Sequence, residues 1–530
     1  MKTFLTLITR ARDLFGNLPA YQIPARSGVV EHTFAEFYED VCNLAAALTS
    51  YNLGKVALLG ENSYDWVVAY MATVVSGGTI VPIDKELTEQ EIENIVRMSD
   101  AGALFCSNDY SEVADHIKNK SIVKEIFAIN TPTYNGYTTL NQLIEAGAKL
   151  RIADKNYGQG ENSAQAIASV VFTSGTTGVS KGVMLSRENL LANVISADKF
   201  ITLGSKTLSI LPMHHTYEFT LDILFSIYQG RTVAINNSVK YLAQNMQTFS
   251  PTDILIVPLV AEALLSNIWK NAQAQGKADK LRKGLKLSRA LKSIGIDIRR
   301  KLFKDIHWAF GGQLRGLFIG GALLNKDTAR MLHDLGFVVN IGYGITECSP
   351  LVTGNITDKV CFFDSCGVPI PGVEIRLAES GEIEVRGSSV MQGYYKNPQA
   401  TKEAFNGGWF RTGDIGTIKK GMLYITGRVK NLIVLKNGKN IYPEELELII
   451  EQIPAVKEVV VGAREGAIAG EELSLYAEIF PDTEVPEPHK DIEAAIALLN
   501  EKLPYYKRIT NIVFREKEFA KTTTKKIKRY

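Results

Sequence analysis

SVVFTSGTTGVSKGVML, residues 169–185, joins a β-branched apolar run to a turn of hydroxyl residues and glycine, then to a second short apolar run. Short β-branched runs read as buried strands, and glycine lets the backbone turn tightly between them. The turn offers closely approaching N–H groups and several hydroxyl donors, and Lys181 adds positive charge, a combination suited to a polyphosphate. It is not a Walker-type loop, which needs G-x-x-x-x-G-K-[ST] opening a helix, whereas the spacing here is G-x-x-G-x-x-K. Read without its surroundings, the same turn is a flexible hairpin.

Outward from this stretch, KVALLG (55–60), TIVPI (79–83) and ALFCS (103–107) precede it, and TLSILP (207–212), TVAIN (232–236), DILIVP (253–258) and LRGLFIGG (314–321) follow. They alternate with helical patterns, which predicts an α/β protein with mainly parallel sheets packed with helices. Past residue 370 short strands with glycine turns, GEIEVRG (381–387) and GMLYITGR (421–428), predict a small β-rich subdomain. From about 431, EELELIIEQI and DIEAAIALLNEKL alternate with VKEVVVGA and LSLYAEIF, a compact α+β unit. A chain of 530 residues exceeds one ordinary core. The expected division is a large N-terminal domain over 1–429, with the β-rich subdomain at about 370–429, and a C-terminal domain over 430–530.

Lys and Arg number 59 against 57 acids, a net charge of +2, so the overall balance selects neither nucleic acid nor membrane. Five cysteines (Cys42, Cys106, Cys348, Cys361, Cys366) without paired spacing favour neither a disulfide framework nor a zinc site and fit a reducing cytosol. The N-terminus does not read as a signal peptide. Trp66–Ile83, uncharged but interrupted by Ser76-Gly77-Gly78 and Pro82, reads as a buried helix, a turn and a strand rather than a membrane span. Residues 270–304 are basic, with twelve Lys or Arg against Asp279 and Asp297, and carry Leu281, Leu285, Leu291, Ile294, Ile298 and Leu302 at near-helical spacing. That predicts an amphipathic basic helix: a solvated face of the large domain, a peripheral contact with an anionic membrane, or an attraction for the phosphates of a thiol carrier.

Further motifs follow in order: Gly342-Tyr343-Gly344-Ile345-Thr346-Glu347, Trp409-Phe410-Arg411-Thr412-Gly413-Asp414, Gly427-Arg428-Val429-Lys430 and a terminal Lys521-Thr522-Thr523-Thr524-Lys525-Lys526-Ile527-Lys528-Arg529. Together with the 173–182 turn they resemble the adenylate-forming superfamily of acyl-CoA synthetases, luciferases and peptide-synthetase adenylation domains. The phosphate loop of that family reads [ST]-S-G-[ST]-T-G-x-P-K-G, from which this chain departs at Ser180. The resemblance runs from about residue 10 to Tyr530 and implies a C-terminal domain that moves against the large one.

By this resemblance Thr173, Ser174, Gly175, Thr176, Thr177, Gly178 and Lys181 cradle ATP phosphates, Thr346 contacts the α-phosphate, and Glu347 with Thr173 holds Mg²⁺. Gly342 and Tyr343 lie at the nucleotide, with Tyr343 placed to stack on adenine, and Asp414 and Arg428 serve the ribose. The tail read alone is a basic nucleic-acid patch. The resemblance instead aligns Lys526, rather than Lys525, with the lysine that stabilises charge during adenylation, although Ala520 and Lys525 replace the usual proline and glycine. The T-x-K-K-I-K-R ending and the long Lys436–Asn440 stretch are similar to those of long-chain fatty acyl-CoA synthetases. Lys430 matches the hinge.

Leu211-Pro212-Met213-His214-His215-Thr216-Tyr217-Glu218 resembles the segment beside the acyl pocket, with His215 as the matching histidine, and Gly320-Gly321-Ala322 resembles the glycine-rich strand end against the acyl group. No acidic residue stands out to bind an α-amino group. The implied function is ATP-dependent conversion of a fatty acid to its adenylate, then transfer to coenzyme A, with ATP, Mg²⁺ and coenzyme A required. The alternatives are an acyl–acyl-carrier-protein or aryl-acid ligase, and a catalytically silent acyl- or nucleotide-binding homologue. The expected location is the cytoplasm, with 270–304 touching the inner face of the membrane.

Overall fold

The computed structural model describes all residues except 27, 121, 132–135, 161–162, 174–179, 237, 356–361, 436–439, 465–472, 522–526 and 530, and leaves out the side chain of Val239. By internal contacts the chain forms two units: Met1–Glu374 with Val385–Phe410, and Ile375–Glu384 with Arg411–Tyr530.

The first unit holds two large sheets. In one, Lys55–Leu59, Thr79–Pro82, Ala103–Ser107, Glu125–Ile129 and Ile167–Thr173 run parallel, and Lys181–Ser186 and Gly393–Tyr394 add antiparallel strands at one edge. In the other, Pro19–Ala25, Thr232–Ile235, Lys206–Ser209, Asp253–Ile256, Gly316–Ile319 and Val338–Gly344 run parallel in that spatial order. The strands expected from the apolar runs are all present, and Pro19–Ala25, Glu125–Ile129 and Val338–Gly344 are additional to them. They read as continuous Val, Ile, Leu and Ala because parallel strands are covered on both faces; Val56, Ala57, Leu58 and Leu59 are all at most 3 % exposed.

Trp66–Ile83 resolves as expected, into the buried helix Tyr64–Val75 capped by Ser63 and the strand Thr79–Pro82. No helix among the described residues is long and apolar enough to cross a membrane. The basic segment departs from the single helix its spacing predicts. It breaks into Pro258–Ala274, Ala278–Ser293, Arg299–Leu302 and Lys304–Ala309. The reason is local: Gly276 and Gly295 take φ of +67° and +85°, left-handed values that end a helix. Leu281 and Leu285 reach the core, while Ile294 and Leu302 of the same stripe stay exposed.

The second unit contains the antiparallel hairpin of Trp409–Lys419 with Met422–Arg428, the former strand starting in the first unit. Beyond it Val456–Arg464, Ser474–Pro481 and Ile509–Phe514 form a three-stranded sheet. The helices Pro443–Ile450 and Pro488–Lys502 accompany it, and Leu446, Ile450, Ala477, Ile479 and Ile492 form its centre at 0–1 % exposure. This is the α+β texture expected beyond residue 430.

Candidate active site

Thr173 ends one strand and Lys181 begins the next, and the two are paired in register, with the Thr173 hydroxyl 3.4 Å from the Lys181 carbonyl. The residues between them, including Ser174, Gly175, Thr176, Thr177 and Gly178, lie outside the described residues. Lys181 Nζ sits 4.9 Å from the ring centre of Tyr394. The Tyr394 hydroxyl donates to Glu347 Oε1 at 3.0 Å. Tyr394 thus bridges Lys181 and the Glu347 carboxylate, a contact that no motif flagged. Its hydroxyl is pushed well above the ordinary tyrosine range, first by burial and then by Glu347, so it stays a donor.

Thr346 and Glu347 lie in a short 3-10 turn after the strand Val338–Gly344. Gly344 is required there, because a side chain would bring a Cβ to 2.3 Å from the Pro350 carbonyl. One carboxylate beside a hydroxyl suits a Mg²⁺ that arrives with phosphate oxygens and keeps several waters, the usual mode of that ion. No cluster of three His, Cys, Asp or Glu that could hold a metal unaided exists among the described residues.

An apolar pocket opens beside this turn, at the carboxyl ends of the parallel strands where α/β sheets bind ligands. Gly320, Gly321, Gly342 and Tyr343 line it together with Leu255, Tyr217, Leu221 and Phe225, and among the described residues no lining residue is charged. Gly320 is held to its size by Tyr217: a Cβ there would stand 3.2 Å from the phenol ring, whose hydroxyl donates to the Phe318 carbonyl at 3.0 Å. Gly321 has φ of +87°, which favours glycine. Ala322 is exposed and is not among the lining residues.

His215 is likewise not among them; Tyr217, two residues on, is. The backbone of His215 starts a helix by accepting from Phe219 N at 3.0 Å, and its ring lies 4.1 Å from that of His214. His214 faces Asp84 at 3.6 Å, yet burial, with Lys85 adding to it, pushes its pKa down to about 3, so the contact joins a neutral ring to a carboxylate. Asn62 braces the segment, donating to the Leu211 carbonyl at 2.6 Å and accepting from Met213 N at 3.0 Å.

In the second unit Asp414 and Arg428 are register partners of the hairpin, with Nε to Oδ1 at 3.0 Å. Asp414 is buried and Arg428 half exposed, so the pair presents one fixed carboxylate edge beside a solvated guanidinium. Gly413, at φ +72°, makes the turn before Asp414, and its N–H donates to Glu382 Oε1 at 3.0 Å. Lys430 occupies an exposed 3-10 turn, Val429–Asn431, directly after the hairpin. Lys526 lies outside the described residues; on either side of it Lys521 bridges to Ile527, and Arg529 pairs with Glu447.

Comparison with known proteins places the chain in a class. The model of the AMP-binding enzyme family matches residues 12–395, and that of the AMP-binding enzyme C-terminal domain matches 430–530. The chain belongs to this family, the adenylate-forming superfamily. Among individual proteins it is similar to a long-chain-fatty-acid–CoA ligase of Mycobacterium bovis, 29 % identical over 82 % of this chain and 76 % of the relative. A long-chain-fatty-acid–[acyl-carrier-protein] ligase of Arabidopsis thaliana is 26 % identical, over 85 % and 73 %. In fold it is similar to an anthranilate CoA ligase in complex with anthranoyl-AMP, with TM-score 0.79 and 21 % identity over 99 % of this chain and 95 % of the other.

Proposed function

We propose that the protein converts a fatty acid to its acyl-adenylate and then to acyl-CoA. A carboxylate oxygen of the acid bonds to the α-phosphorus of ATP and pyrophosphate leaves. The thiol sulfur then bonds to the acyl carbon and AMP leaves. Both steps ask the protein for positioning and charge neutralisation more than for covalent catalysis. Thr173, Ser174–Gly178 and Lys181 receive the phosphates, Thr346 contacts the α-phosphate, and Glu347 with Thr173 binds Mg²⁺ carried by the nucleotide. Asp414 accepts from the ribose hydroxyls with Arg428 beside it, Tyr343 packs on adenine, and Lys526 stabilises charge in the first step. Rotation at Lys430 then withdraws Lys526 and admits the thiol, and His215, at the helix start before Tyr217, gates the acyl site.

The observation that carries the choice of acid is the pocket: an uncharged apolar cleft whose glycine floor, Gly320 and Gly321, ends beside the Gly342–Glu347 motif. Among the described residues the wall is uncharged, which suits an alkyl chain better than an α-ammonium group. The exposed Ile294, Ile296 and Leu302 among the lysines and arginines of 270–304 support contact with an anionic membrane from the cytoplasmic side. A carrier-protein acceptor is the second reading, favoured by the similarity to the Arabidopsis acyl-carrier-protein ligase.

Thioester formation measured with acetate, octanoate, palmitate, benzoate and anthranilate, each with coenzyme A or holo acyl carrier protein, separates these readings. Palmitate or octanoate with coenzyme A is expected to be fastest by at least about tenfold, as several buried methylenes are worth that much. A preference for benzoate or anthranilate replaces the fatty acid, and a preference for the carrier protein replaces coenzyme A.

A further inference from the structure

The helix after His215 has two faces of opposite character. Tyr217, Leu221 and Phe225 line the pocket. Glu218 and Asp222 lie on the adjacent face and are 0 % exposed. Asp222 sits in the π-helix Phe219–Leu224, and Glu218 immediately precedes it. Such wide turns are rare, occur mostly as single turns and recur at functional sites.

Glu218, Asp222, Arg231 and Asp253 meet in this layer at 0, 0, 3 and 4 % exposure. Arg231 is committed elsewhere: it meets Asp253 at 3.2 Å and donates to the Gly204 carbonyl at 2.6 Å and to Ser226 Oγ at 3.2 Å. Asp253 also accepts from the Gly204 amide and the Thr252 hydroxyl. Ser209 donates to Glu218 Oε1 at 2.5 Å. Glu218 Oε2, both Asp222 oxygens and the hydroxyls of Thr207, Thr220 and Tyr21 meet no well-aligned partner among the described residues.

Two buried carboxyls one turn apart do not both stay ionised, and a proton on one supplies the donor the other lacks. Burial, and then the charge of Asp222, raises Glu218 well above the carboxylate range; burial pushes Asp222 up to about 6 although Arg231 opposes it. The groups facing the pair are Tyr217 on the same helix, Tyr21, Arg231, Asp253, and the hydroxyls of Thr207 and Ser209. Both tyrosines are held neutral by burial.

We propose that Glu218 and Asp222 form a positioning pair for the acyl pocket. They keep one proton between them at neutral pH, and the hydrogen bond it makes fixes the wide turn within the helical segment whose adjacent face, Tyr217, Leu221 and Phe225, is the pocket wall. The inference rests on reading this pocket as the acid site. Neither carboxyl touches substrate; both act through the helix.

The test is Glu218→Gln beside Glu218→Ala, read by thermal melting across pH and by steady-state kinetics with a series of fatty acids. Folded protein keeps a proton that the unfolded chain loses above the usual carboxylate range, so wild-type stability falls as pH rises, by up to about tenfold in the folding equilibrium per pH unit. Glutamine has no proton to lose. The melting temperature of Glu218→Gln relative to wild type therefore climbs steadily between about pH 5 and about pH 8. At neutral pH the same variant stays within about twofold of wild type in rate and in preferred chain length, because an amide replaces a neutral acid. Glu218→Ala raises KM for the preferred acid about tenfold or more while KM for ATP stays within about twofold, as expected for a displaced pocket wall. A pH-independent melting difference, or a tenfold loss in Glu218→Gln at neutral pH, overturns the proposal even if Glu218→Ala fails to fold. Wild type that forms adenylate from no acid overturns the reading of the pocket instead, and the melting difference still decides the proton.

Discussion

At the scale of single residues, the account places charge-handling groups on motifs and shape-handling groups outside them. Lys526→Ala is expected to lower adenylate formation by about 100-fold or more, the usual loss for a group aimed at developing charge, while thioester formation from supplied adenylate stays within about threefold. Separate assays of the two half-reactions check this, and equal loss in both would remove the assigned role. Gly320→Ala puts a methyl 3.2 Å from the Tyr217 ring, close enough that the ring must yield. Overpacking of this kind costs about 1–3 kcal/mol, so KM for the acid should rise roughly 5- to 100-fold with KM for ATP unchanged. Thr346, Glu347, Asp414 and Arg428 stand out in the sequence because their motifs follow in a fixed order, and the hairpin brings Asp414 to Arg428 at 3.0 Å. Tyr394 and Tyr217 were not legible. Their roles depend on which strand ends and helix faces meet across the first unit, and neither contact leaves a spacing in the chain.

At the scale of elements, the strands were legible because burial on both faces of a parallel sheet selects unbroken β-branched runs, as in KVALL and ALFCS. The basic stretch was harder: its leucines repeat at helical spacing, but Gly276 and Gly295 interrupt the helix, and the apolar stripe divides between core and solvent. The π-turn at Phe219–Leu224 left no signal either, since its residues carry no spacing that separates it from an ordinary helix. The element with the clearest mechanistic expectation is the turn Val429–Asn431. Lys430→Pro fixes φ and removes a backbone donor, so rotation there is restricted. Transfer to coenzyme A is expected to fall at least about tenfold while pyrophosphate exchange stays near wild type. Unchanged thioester formation in this variant would remove the hinge.

At the scale of the whole molecule, the first unit carries two buried histidines that stay neutral when folded. Burial, with Lys85 adding to it, pushes His214 down to about 3; burial, with Arg300 adding to it, pushes His307 down to about 4. The unfolded chain binds both protons below about pH 6.5, so each histidine takes about 1.4 kcal/mol per pH unit from stability as pH falls from there, against the opposing contribution of the Glu218–Asp222 proton. The melting temperature of His307→Gln, which keeps a donor for the Leu335 carbonyl now met at 2.9 Å, is therefore expected to rise relative to wild type as pH falls from about 6 to about 4. A pH-independent difference over that range would contradict the buried neutral state. Division into a large α/β unit and a smaller α+β one was legible from length and from the change of texture beyond residue 370; the strand exchange at 375–384 and 411 was not, because it depends on pairing between distant segments. The central claim, that this molecule makes an acyl-adenylate, is tested most directly by carboxylate-dependent exchange of labelled pyrophosphate into ATP, run with acids from acetate through benzoate to palmitate, with Mg²⁺ present or chelated. The account predicts exchange that requires Mg²⁺ and is strongest with a fatty acid; absence of exchange with every acid would contradict it and leave a protein that binds acyl chains or nucleotides without joining them.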